Sequence, residues 1–291
     1  MNKPHGLQSF EQPLASLPHT LRQLILERIQ NLTHYEPVIG IMGKSGAGKS
    51  SLCNELFQGE VSPVIDVNAC TRDALRFRLR SDDRSLVIVD LPGVGENRQR
   101  DHEYTALYRR ILPEMDLILW VIKADDRALS VDELFWHRVM KNHRQQVLFV
   151  INQADKMEPS HEWDAATGTP SVQQRANLRA KQAAVTAIFK PHHPVCVVSA
   201  PSGWGIEEMV ETMMCSLPDH ATSPLATQLH GRLCTEPVKK QARDSFSHAV
   251  GKVFDGVESS PLLPVPVRAV IRTVRETVVA VARAVWDWIF F

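Results

Sequence analysis

The chain has no surplus of charge of either sign: 33 Lys and Arg residues are matched by 33 Asp and Glu residues among 291. Any affinity for nucleic acid or a lipid surface must therefore come from a local patch and not from a global field. Cysteine is sparse and odd in number. Cys53, Cys70, Cys196, Cys215 and Cys234 are scattered, and no pair has C-x-x-C spacing. That pattern argues against a disulfide framework or a structural zinc site and leaves reduced thiols as the expectation. The opening stretch MNKPHGLQSFEQPLASLPHT holds no apolar run of the signal-peptide kind. No charge-free apolar run elsewhere is long enough to span a bilayer. The cytoplasm is the expected location, with peripheral attachment to the inner membrane as the alternative. Internal repeats and low-complexity tracts are missing as well.

What remains is ordinary globular material, 44% hydrophobic and 23% charged. Its length suits one large domain with an appendage, or two modest domains. Residues 1–35 read as a proline-containing lead-in followed by a helix. In that helix Leu21, Leu24, Ile25, Ile29 and Leu32 recur at helical spacing, which predicts packing on the domain behind it. Apolar runs then alternate with helical stretches. Strands are expected at Pro37–Met42, Leu75–Arg80, Leu86–Val89, Leu117–Ile122, Val147–Ile151 and Val195–Val198. Helices are expected from Ser51 to about Phe57 and over roughly 101–112, 131–144, 173–189 and 205–216. Such alternation predicts an α/β fold, a doubly wound and mostly parallel sheet, over residues 36–218. Met157–Gln174 reads as a surface insertion, and 219–291 as an α-helical C-terminal extension.

Gly43-Lys44-Ser45-Gly46-Ala47-Gly48-Lys49-Ser50 matches G-x-x-x-x-G-K-[ST] in full, between an apolar strand and a helical sequence. Glycines let backbone N–H groups turn inward on a phosphate oxygen, and the next helix, opening near Ser51, offers its positive end to the same anion. Lys49 would bridge the β- and γ-phosphates, and the Ser50 hydroxyl would ligate Mg²⁺. Asp90-Leu91-Pro92-Gly93 ends a strand 41 residues after Lys49. There Asp90 can hold Mg²⁺ through a water, and Gly93 can bring an N–H to the γ-phosphate. Asn152-Gln153-Ala154-Asp155 ends the next but one strand. A carboxylate only accepts hydrogen bonds, and guanine presents N1–H and N2–H₂ side by side, whereas adenine does not. Asp155 would thus select guanine, Asn152 would tie its loop to the phosphate loop, and Ser199-Ala200 would supply a backbone N–H to guanine O6. Each of the last three pieces alone is a common turn; their order along the chain is what gives them meaning.

On GKSGAGKS, DLPG, NQAD and SA the chain resembles the Era-like branch of translation-factor-class GTPases, especially the bacterial Era-like GTPase family often carried by prophages. The resemblance covers about residues 36–217. It implies binding of GTP and GDP, a Mg²⁺ ion, and hydrolysis to GDP and phosphate under two switch loops, with Lys49, Thr71 and Gly93 as the catalytic set. Thr71 is the best match for the threonine that closes on the metal beside Ser50 and Asp90. The chain departs from the pattern in three places. Gln153 replaces the usual lysine, whose stem covers the guanine face. Val94 stands where many relatives place a water-orienting glutamine, which implies slow turnover. Gly46 replaces the asparagine that binds an activating potassium ion in some relatives.

In the extension, Arg268, Arg272 and Arg275 fall on one helical face and Val270, Val274, Val281, Val285 and Trp288 on another. Thr277–Phe291 is apolar nearly all round apart from Arg283 and Asp287. Two readings stay open. One is a helix packed on the preceding domain or a protein partner, with Arg283 and Asp287 paired across a turn; the other is a membrane-surface helix rich in Trp and Phe. The resemblance adds RNA or the ribosome as a partner, but residues 219–291 balance nine basic against seven acidic residues and carry no recognisable RNA-binding motif.

Overall fold

The computed structural model describes residues 5–63, 75–81, 83–91, 101–255 and 265–291. By their internal contacts the residues form two compact units. One comprises 37–217 with 228–233; the other comprises 1–36, 218–227 and 234–291.

Among the described residues the first unit holds a seven-stranded sheet. Its strands are β1 (Val38–Met42), β2 (Glu60–Pro63), β3 (Leu75–Ser81), β4 (Arg84–Asp90), β5 (Leu117–Lys123), β6 (Val147–Asn152) and β7 (Cys196–Val197), in the order β2-β3-β4-β1-β5-β6-β7. The four pairings on and beyond β1 towards β4 and β7 are parallel, and β2 and β3 form an antiparallel edge. β5 and β6 are apolar because both faces are covered, and every residue from Leu117 to Ile122 and from Val147 to Asn152 is buried. β2 was not expected: it is four residues long, carries Glu60, Ser62 and Pro63, and lies at the edge, where no apolar run is needed.

Helices α3 (Lys49–Leu56), α4 (Asp101–Ile111), α5 (Ser130–Arg138), α6 (Val172–Phe189) and α7 (Ile206–Ser216) fall between or after the strands and follow the lead-in helices α1 (His5–Gln8) and α2 (His19–Thr33) in the chain. The helix expected over 131–144 stops at Arg138. On one face of the sheet Trp120 stacks on Phe149 at 5.1 Å between ring centres, and Trp136 of α5 and Phe189 of α6 close the cluster. These rings fix β5, β6, α5 and α6 as one rigid block. The chain from Gln228 to Leu233 also belongs to this unit. The Gln58 N–H donates to the Gln228 carbonyl at 2.9 Å and the His230 N–H to the Leu56 carbonyl at 3.0 Å, so the segment caps the carboxyl end of α3.

The second unit is helical. It contains α1 and α2 with α8 (Asp219–Ala226), α9 (Glu236–Lys252), α10 (Val265–Ala284) and α11 (Trp286–Phe290). The lead-in helix α2 finds its main partners in α8 and α9. The long helix α10 packs chiefly on α9 of its own extension. The buried stripe of this C-terminal segment is Ile271, Val274, Val278, Ala282 and Val285. Val274 and Val285 of the expected stripe are buried, but Val281 is half-buried and Val270 and Trp288 are exposed, because 3.6-residue periodicity alone cannot say which of two adjacent apolar rows meets the neighbour. Nor do Arg283 and Asp287 pair with each other. Arg283 binds Asp244 at 2.8 Å and Asp287 binds Arg243 at 2.9 Å, both across to α9. Trp286 anchors the junction: its indole N–H donates to Ser223 Oγ at 2.8 Å, and Ser223 donates to the Ala242 carbonyl at 2.8 Å. Among the described residues no helix is long and apolar enough to cross a membrane.

Candidate functional site

Sheet register brings the candidate residues to one edge. Ile41 lies opposite Asp90, and Lys123 opposite Asn152, so β1, β4, β5 and β6 all finish at the same side. β1 is also where successive connections change direction, the place at which open α/β sheets leave a crevice beyond their carboxyl ends. The loop Gly43–Gly48 fills that position. Gly43, Gly46 and Gly48 have φ of 145°, 71° and 83°. A Cβ on Gly43 would lie 2.2 Å from the Val121 carbonyl oxygen, and one on Gly48 would lie 2.5 Å from Asn152 Nδ2. Only glycine fits either position.

Side chains from the neighbouring strand ends hold the loop. Asn152, buried to 1% exposure, donates from Nδ2 to the Ala47 carbonyl at 3.0 Å and accepts at Oδ1 from the Ala200 N–H at 3.2 Å. Gln153 has a left-handed φ of 62° and donates from Nε2 to the Gly46 carbonyl at 2.9 Å. Ser199 donates to Asp155 Oδ1 at 2.6 Å. The structure thus brings Asn152, Gln153, Asp155, Ser199 and Ala200 together with Ala47 and Gly48 in one connected network. Lys49 opens α3 and donates from Nζ to the Gly43 carbonyl at 3.1 Å. Ser45, Ser50 and Ser51 are exposed.

Asp90, Lys49 and Ser50 line a cavity of about 490 Å³ together with Cys53, Phe77 and His230. Burial raises the Asp90 carboxyl above its ordinary range, and the Lys49 charge offsets part of that rise. One of its oxygens, Oδ1, is buried with no hydrogen-bond partner among the described residues. Burial also pushes the Cys53 thiol up to about 12, with Asp90 adding to the effect. Thr71, Gly93 and Val94 lie outside the described residues.

Sequence reasoning missed one contributor to the wall of this cavity. His230 joins the cavity wall from a segment 180 residues beyond Ser50, where no local pattern signals it. Lys44 is one of the loop residues expected to cradle phosphate through its backbone, and its ammonium is engaged by Asp126 at 2.8 Å and Asp132 at 3.0 Å, partners that the motif does not signal.

A glycine turn between a parallel strand and a helix, braced by loops from two further strand ends, defines a P-loop nucleotide-binding domain. The chain belongs to the Era-like P-loop GTPase family of GTP-binding switch proteins. A family model described as 50S ribosome-binding GTPase matches residues 38–153. The chain is 54% identical over its whole length, and the whole length of the relative, to the uncharacterized protein YkfA of Escherichia coli strain K12. It is 24% identical to GTPase Era of Rippkaea orientalis, over 77% of this chain and 69% of that one. Among solved structures the chain is similar to a variant of Aquifex aeolicus Era bound to GDP·AlF₄⁻, with a TM-score of 0.45 and 22% identity over 65% of this chain and 66% of that one.

Proposed function

We propose that the chain binds GTP with Mg²⁺ and hydrolyses it slowly to GDP and phosphate, acting as a nucleotide-dependent switch. The observation that carries this reading is the double engagement of Asn152. One side chain joins the phosphate loop at Ala47 to the Ser199-Ala200 turn, within the network that also holds Asp155. Both ends of one nucleotide are then reachable from a single rigid frame.

In this reading the backbone of Gly43–Ser51 cradles the phosphates and Lys49 leaves the Gly43 carbonyl to meet them. Asp155 accepts from guanine N1–H and N2–H₂, and the Ala200 N–H, which Asn152 Oδ1 holds at 3.2 Å, would be shared with O6. The unpartnered, buried Oδ1 of Asp90 beside Ser50 suits a cation site, and these two residues would hold Mg²⁺ with Thr71. The ion would neutralise charge on the β- and γ-phosphate oxygens. Val94 offers no hydrogen bond to the attacking water, which supports slow turnover. Signalling would pass to a protein partner through the loops around Thr71 and Gly93 or through the C-terminal helices.

Competition titrations against a fluorescent guanine nucleotide test the base assignment. GTP and GDP should displace it at concentrations about a hundredfold or more below ATP, since an unpaired buried carboxylate costs several kcal/mol. Equal affinity for ATP removes guanine selectivity. Phosphate release measured with and without Mg²⁺ tests the turnover.

A further inference from the structure

Resting on the nucleotide reading above, we infer that Lys44 is the positioning residue of the phosphate loop, its ammonium seated on Asp126 and Asp132 and not on the nucleotide. A lysine at the second place of a phosphate loop invites the opposite assignment. The geometry places it elsewhere. Its Nζ lies 2.8 Å from Asp126 Oδ2 and 3.0 Å from Asp132 Oδ2, and it also donates to the Ala128 carbonyl. The ammonium donates to Asp126 Oδ2 and the Ala128 carbonyl, and Asp132 Oδ2 faces it as a buried counter-charge with no hydrogen bond of its own among the described residues.

The receiving groups are themselves fixed. Asp126 accepts the Ala128 N–H on Oδ1 at 2.9 Å, and its carbonyl accepts from Lys181 of α6. Asp132 stands in the first turn of α5 with its side chain 4% exposed. That turn leads directly into the Trp136 cluster, so the seat adjoins the aromatic packing of the sheet unit. Burial alone would lower the Lys44 pKa, yet the two carboxylates outweigh it and raise the pKa above its ordinary value.

The loop needs such a brace. Three of its glycines sit at positive φ, and glycine loses the most conformational freedom on ordering. Asn152 and Gln153 tie down the second half at Gly46 and Ala47. In the first half, Lys44 fastens the turn to the β5–α5 loop. Removing its charge also leaves the buried Asp132 carboxylate uncompensated close to an anion-binding loop.

The test pairs Lys44→Met with Asp126→Asn/Asp132→Asn and the triple variant. In nucleotide-free protein, Lys44→Met should raise amide exchange over residues 44–48 about tenfold or more, with β6 unchanged and Lys44→Arg close to the parent. Unchanged exchange in that loop overturns the inference whether or not the protein binds nucleotide. In GTP and GDP titrations, Lys44→Met and the Asp126→Asn/Asp132→Asn variant should each weaken binding. The triple variant should bind better than Lys44→Met alone, since no carboxylate is left stranded. If Lys44 touches phosphate instead, freeing it with Asp126→Asn/Asp132→Asn will tighten binding or leave it unchanged. Lys44→Met will then cost the same in both backgrounds. A parent protein that binds no guanine nucleotide refutes the proposed function and leaves the exchange result to decide the role of Lys44.

Discussion

Asn152 Nδ2 lies 3.0 Å from the Ala47 carbonyl oxygen, a bond between residues 105 positions apart that fastens the end of β6 to the turn after β1. Asn152 is buried, and its Oδ1 holds the Ala200 N–H at the same time. Truncation to alanine strands a carbonyl and an N–H in a site closed to water. Asn152→Ala should therefore cost about 1–3 kcal/mol of folding stability per stranded group. It should also lower guanine-nucleotide affinity. Urea denaturation with and without saturating GDP measures both effects.

Gly43→Ala probes the closeness of β1 to β5. The added Cβ would meet the Val121 carbonyl oxygen at 2.2 Å, a backbone atom that cannot turn aside, in a residue already at φ 145°. The strand end must shift, at a cost of about 1–3 kcal/mol for the strained backbone alone. Thermal melting should show a lowered midpoint, and nucleotide binding should weaken because the amides of the loop lose their aim.

Gln153→Lys tests the departure from the lysine usual at this place. Gln153 already makes the bond to the Gly46 carbonyl at 2.9 Å that steadies the loop. A lysine adds a longer apolar stem to lie over the flat base. Affinity for GDP should rise by a factor of a few, read from dissociation of a fluorescent analogue, while preference for guanine over adenine stays as it was.

Trp286→Phe addresses the helical unit. A smaller aromatic ring stays in place, but Ser223 loses its donor at 2.8 Å inside the core. The expected loss is about 1–3 kcal/mol. Trp286→Ala should cost about 3–5 kcal/mol through the added cavity. Both variants should leave the guanine-nucleotide affinity of the sheet unit near that of the parent.

Thiol labelling gives a pH-dependent check. With its pKa pushed up to about 12 by burial, Cys53 holds a thiolate fraction of roughly one in ten thousand at pH 8. Cys196, pushed to about 11, is similarly protected. Cys215 is exposed. Iodoacetamide at pH 8 followed by peptide mapping should mark Cys215 well before Cys53 or Cys196.

The sheet and its loops were legible in the sequence because their rules are local. Buried parallel strands such as Leu117–Ile122 must be apolar throughout, and a turn with Gly43, Gly46 and Gly48 can close only where no Cβ intrudes. What escaped was decided by distant partners. Arg283 and Asp287 have the spacing of an intrahelical pair, but Asp244 and Arg243 of α9 compete for them and win. Lys44 belongs to a motif read through its backbone, which gives no hint that Asp126 and Asp132 hold its ammonium. β2 gave no signal because an edge strand of four residues has only one neighbour to satisfy.

The interleaving of the two units has a practical meaning for anyone dissecting the protein. The backbone changes unit four times, after residues 36, 217, 227 and 233. A fragment ending at Leu217 retains every glycine of the phosphate turn but forfeits His230 and Arg232, which bind the Asn54 carbonyl and Glu55 at the far end of the first helix behind that turn. Severing the chain there would uncap the helix whose opposite end faces the phosphates, so the nucleotide unit cannot be cut out as one continuous stretch without losing part of its own wall.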